Sequence, residues 1–171
     1  MRRRLDRLYN AAGYLAALFL VGTLAMVLTG IAGRLLNFHV PGTDSYAGYC
    51  MAACGFLALA HTLKRGEHIR VTLILDHVGP RARQALELWS HAAGLLCAVL
   101  LAWFSVRLAW QSFNFNDISQ GTDATPLWIP QSGMALGGVI FAVAIADELV
   151  AVLRGEKLRH RAADGEPVRS E

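Results

Sequence analysis

Long uncharged runs alternate along this chain with short stretches that hold nearly all of its Lys and Arg. Ala11 to Gly33, Ser45 to Leu63, Leu88 to Val106 and Leu127 to Ala146 contain no Asp, Glu, Lys or Arg. A bilayer core about 30 Å thick needs about 20 helical residues at about 1.5 Å each, and every run is close to that length. The runs are apolar all round rather than on one stripe, so lipid is their solvent. The pattern predicts an all-α membrane protein with four transmembrane helices over about 11–33, 45–63, 88–106 and 127–146. They form a single domain over 1–159, and residues 160–171 are a flexible tail.

Local signals set the ends. The cluster Arg2, Arg3, Arg4 and Arg7 precedes the first run, which exceeds the apolar core of a signal peptide and so reads as a retained helix. Pro41-Gly42 is a turn, with Thr43 or Asp44 placed to cap the second helix. Gly48, Ala52 and Gly55 give that helix small residues for close approach, and Lys64-Arg65-Gly66 closes it. Glu67 to Glu87 interleaves Ile69, Val71, Leu73 and Leu75 with charged residues and is broken at Gly79-Pro80. It is too short to span and reads as an amphipathic interfacial segment between helices 2 and 3.

Trp103, Phe104, Arg107, Trp110 and Phe113 form an aromatic collar at the far end of the third run. Trp128 stands at the start of the fourth, and Trp103, Arg107, Trp110 and Trp128 read as interfacial anchors. Thr125 as cap with Pro126 in the first turn predicts the start of the fourth helix, with Pro130 either resetting that start or kinking it. Helix is expected to continue to about Arg159.

With 54% hydrophobic and 17% charged residues, the 171-residue chain is too apolar for an ordinary soluble domain. Its net charge of +3 comes without any groove-reading or base-stacking motif, which argues against nucleic acid. Counted by segment, Lys and Arg number four, one, five, one and five, so fourteen of the sixteen fall on one side of four crossings. The positive-inside rule then places both termini and the Lys64–Glu87 segment in the cytoplasm of a multi-pass inner-membrane protein. Cys50, Cys54 and Cys97 all lie in apolar runs and are expected to pack as small hydrophobes.

Candidate chemistry is sparse. His61 and His91 fall at similar depth near the cytoplasmic ends of their helices, where two imidazoles could hold a haem or take interfacial hydrogen bonds. No phosphate loop, zinc-helix motif or nucleophile elbow is present, so no catalytic or metal residue is assigned and no cofactor is expected. Uncharged spans also offer no midplane group with which one chain could grip a solute. Gly133 and Gly137 form a Gly-x-x-x-Gly pair that fits either a contact within the chain or one to a partner, with Gln131 and Ser132 able to bond across it.

Ala60-His61-Thr62-Leu63-Lys64-Arg65-Gly66-Glu67-His68-Ile69-Arg70-Val71, followed by Leu73-Ile74-Leu75, resembles the cytoplasmic loop of the small, DctQ-like membrane subunit of tripartite ATP-independent periplasmic (TRAP) transporters. Ser119 to Ser132 is similar to the segment entering that family's fourth helix. The resemblance implies a non-enzymatic subunit that scaffolds a large multi-span membrane subunit. That partner would take up an organic acid, dicarboxylate-like, with sodium, and a periplasmic binding protein would deliver it. In that setting Arg65, Glu67, His68, Arg70, Gln131, Ser132, Gly133 and Gly137 are candidate contacts to partner or lipid. Asp44, Asp117 and Asp123 are candidates for periplasmic docking. A small electron carrier binding haem through His61 and His91 is the alternative.

Overall fold

A computed structural model describes residues 2–38, 40–65 and 79–154. Four helices account for most of them: α1 (Arg2–Leu35), α2 (Thr43–Arg65), α3 (Pro80–Asn114) and α4 (Trp128–Leu153). Each is long and apolar enough to cross a membrane. Glu67, His68, Arg70, most of the proposed interfacial segment and the tail beyond Arg154 lie outside the described residues.

Two boundaries differ from the sequence expectation. Pro80 to Glu87 are the first turns of α3, because Gly79 is its N-cap and Pro80 follows in the first turn. Proline suits that position, where its missing N–H would find no intrahelical partner. Likewise α4 begins at Trp128 with Leu127 as N-cap, so Pro130, not Pro126, occupies its first turn and resets the start. Pro126 instead pairs with Ile118 in an antiparallel bridge, closed by Ser119 N–H to the Thr125 carbonyl at 2.8 Å and Leu127 N–H to the Asp117 carbonyl at 2.9 Å.

Both ascending helices stop in the same way. Asn37 and Asn116 adopt φ of 56° and 53° one residue past the cap, a left-handed turn that asparagine tolerates. Phe38 N–H then reaches the Gly33 carbonyl at 3.0 Å, and Asp117 N–H the Ser112 carbonyl at 3.0 Å. This is the 6→1 bond of a Schellman motif, which satisfies carbonyls that water or a cap must otherwise meet.

Packing follows the order α1, α2, α4, α3: α1 lies on α2, α2 on α4, and α4 on α3. The two hairpins are therefore joined through α2 and α4, leaving α1 and α3 at the flanks. Small residues make the contacts. Ala12, Ala16, Ala53, Ala60, Ala98 and Ala144 are buried around Leu57 and Ile140. Leu24 and Leu96, by contrast, stand 58% and 62% exposed on the flanking helices. That distribution suits a bilayer, where lipid tails solvate leucine as well as a core does and close backbone approach holds helices together.

Gly137 is where that approach is tightest. A Cβ there would lie 2.5 Å from the Phe56 backbone carbon, and one on Gly133 would meet Ala53 at 3.1 Å. The Gly-x-x-x-Gly pair is thus filled by the chain's own α2, the within-chain one of the two readings that the sequence left open for Gly133 and Gly137. The small face expected of α2 is corrected. Gly48 and Gly55 have nothing within 4 Å, Ala52 is exposed, and α2 packs through Ala53, Leu57 and Ala60.

Candidate functional site

Polar side chains concentrate at the two ends of the helices. At the end carrying the connections, Asp123 anchors the α3–α4 segment to the start of α2. Its carboxylate accepts from Tyr49 Oη at 3.0 Å and Ser119 Oγ at 3.0 Å, with Ser45 and Thr125 also bonded to it. The Tyr46 and Thr125 hydroxyls lie 3.0 Å apart. Partial burial acts to raise the Asp123 pKa, but the bonds from Thr125, Tyr49, Ser45 and Ser119 outweigh it and hold the group well below the usual carboxylate range.

Backbone geometry is tuned to the same contact. Gly42 sits at φ 80°, and a Cβ on it would come 2.6 Å from the Asp123 Cβ. Ala124, at φ 46°, holds a left-handed conformation that costs a non-glycine residue about 1–2 kcal/mol, so its neighbours must impose it. Beside this cluster opens a polar cleft of about 540 Å³. Arg34, Asn37, Thr43, Asp44 and Thr122 line it, with the Arg34 and Asp44 side chains exposed and 3.7 Å apart. Asp117 is exposed at the root of the loop. Of the three aspartates singled out in the sequence, Asp44 and Asp117 face outward, and Asp123 is turned into the loop it shapes.

At the opposite end, each hairpin carries one histidine. His61 Nδ1 on α2 lies 3.3 Å from the Tyr9 carbonyl of α1, with its ring over Gly13. One turn on, Lys64 Nζ reaches Asn10 Oδ1 at 3.1 Å and Asp6 Oδ1 at 3.5 Å. His91 on α3 is buried with Nε2 3.7 Å from Glu148 Oε2 of α4. The two imidazoles thus serve different helix pairs instead of converging on one ligand. Among the described residues, no three His, Cys, Asp or Glu side chains gather as a metal site. Cys50 and Cys54 are half-buried, while Cys97 is exposed on α3 rather than packed.

Of the aromatic residues at the far end of α3, Trp103 and Trp110 are each 66% exposed, and Phe113 meets Trp128 edge to face at 5.7 Å. Arg107 is exposed on the same stretch, and α3 continues past it to Asn114, because a long side chain can carry its charge to the interface from within a span. Ser132 bonds back to the Ile129 carbonyl at 2.6 Å and faces outward, so it does not reach across to α2. Gln131 is partly buried, with its Oε1 enclosed.

Residues 23–155 match the family model described as "Tripartite ATP-independent periplasmic transporters, DctQ component". The chain belongs to that family. The match covers most of the sequence and all of α2, α3 and α4. No individual curated protein matches the chain. Membership makes it the small membrane subunit of a TRAP transporter, a multi-pass protein of a transporter family and not of an enzyme family. Within this DctQ component, the hydrogen-bond network around Asp123 is the feature that the sequence did not single out. The available signal was Ser45, Tyr49, Ser119 and Thr125, a density of hydroxyls suited to one shared acceptor.

Proposed function

We propose that this DctQ subunit braces the large membrane subunit of its transporter, which takes up an organic acid with sodium after delivery by a periplasmic binding protein. The observation that carries this reading is the open row α1–α2–α4–α3. It leaves long apolar flanks and one whole face of α2 for another membrane protein, while the midplane of each span holds no charged group to bind a solute or an ion. Scaffolding needs surface; carrying needs a gripping site.

The positive-inside count supports cytoplasmic termini and a periplasmic connection end. In that orientation the cleft beside Asp44, with Asp117 and the loop pinned by Asp123, forms the docking surface for the binding protein. Arg65 with Glu67, His68 and Arg70, and Gln131 with Ser132, are the contacts assigned to the large subunit or headgroups. A reporter fused after Asn116 is expected outside and one fused after Arg159 inside; two reporters on one side would refute the orientation.

The deciding experiment is reconstitution. Vesicles holding this chain, the large subunit and the binding protein are expected to accumulate substrate down a sodium gradient, and vesicles with this chain alone to show no uptake above empty vesicles. Accumulation by the chain alone would overturn the proposal.

A further inference from the structure

An apolar groove of about 510 Å³ runs down the outer junction of α3 and α4. Val106, Trp110 and Phe113 form one wall, and Trp128, Leu136 and Val139 the other. From Trp128 to Val139 is eleven residues, about 16 Å of helix. That is close to half of a bilayer core about 30 Å thick. The groove therefore begins at the aromatic collar and ends near the midplane, spanning one leaflet.

We infer that this groove holds one acyl chain of a glycerophospholipid, with the phosphate kept at the collar by Arg107. Three observations favour a lipid over a partner helix. A helical segment about 16 Å long and 10 Å or more across occupies more than about 1,200 Å³, so only its side-chain tips would enter. Trp110 and Trp128 at the mouth place indole rings at headgroup level, where such rings prefer to lie. Arg107 is exposed about one turn from Trp110, within snorkelling reach of the collar, and supplies a cation to an anionic phosphate. The inference requires only that the chain spans a bilayer and stands whatever its partner transports.

Native mass spectrometry of the small and large subunits extracted together from phosphatidylethanolamine–phosphatidylglycerol nanodiscs tests it. The wild-type complex is expected to keep one phospholipid on this chain through detergent exchange. Val139→Trp fills the deep end from a side chain already 41% exposed and is expected to lower that retention about tenfold. Arg107→Gln is expected to keep lipid but lose the preference for the anionic headgroup. No retained lipid on the wild type, or equal retention by Val139→Trp, overturns the inference. Benzoylphenylalanine at Ser132 gives a readout that does not depend on the Val139 variant folding. Photolabelling of phospholipid supports the assignment, and labelling of the large subunit shows that protein covers the groove and overturns it.

Discussion

Gly137→Leu is expected to separate α2 from α4 and to cost the subunit about 3 kcal/mol, the upper part of the range for forcing atoms into a packed contact. The reason is what the new side chain would strike. Its Cβ alone would lie 2.5 Å from the Phe56 backbone carbon, 2.7 Å from the Phe56 carbonyl oxygen and 2.8 Å from the Leu57 nitrogen. Backbone cannot rotate aside as a side chain can, so the helices must part. The two hairpins meet mainly through α2 and α4, and parting them loosens the whole subunit. The readouts are a lower melting temperature of the purified chain, a reduced yield of complex with the large subunit, and slower uptake. For melting of the isolated chain Gly55→Ala is the control, since a Cβ there meets nothing within the chain and alanine favours helix. Equal melting of both variants would remove the α2–α4 contact as the joint of the fold.

The second large effect is expected from Asp123→Ala, which takes the shared acceptor from Tyr49, Ser119, Ser45 and Thr125 in one step. Ala124 then loses what holds its left-handed backbone, and the loop from 115 to 127 is left with its short bridge between Ile118 and Pro126. Proteolysis between residues 119 and 125 should accelerate about tenfold, because cleavage follows the population of the opened loop. If the loop presents the docking surface proposed above, association with the binding protein should weaken in parallel.

The same network fixes a pH dependence. Its bonds favour the charged carboxylate, so the folded-state pKa lies below the unfolded value of 3.8. Stability from this group is therefore fully present above that unfolded value and is lost as pH falls through the lower, folded one. Loop protection should be flat from pH 7 to pH 5 and fail only in strong acid. Loss of protection near pH 6 would mean that a different group, not Asp123, holds the loop.

Four spans, their approximate positions and the family were legible in the sequence because each depends on local information. An uncharged run of the right length reports its solvent whatever it packs against.

Which faces meet was not legible, since a helix that is apolar all round gives no stripe to orient it. Gly48, Ala52 and Gly55 promised close approach as strongly as Gly133 and Gly137 did, yet only the second pair meets another helix of this chain. The role of Asp123 was hidden for a related reason: its donors Ser45 and Tyr49 lie more than seventy residues away, on another helix. Composition and spacing settle the solvent of each segment and the number of crossings. The order of the helices, the pairing of His61 and His91 with separate neighbours, and the inward turn of Asp123 emerge once the helices are packed. Those depend on distances between residues remote along the chain, and no local pattern encodes them.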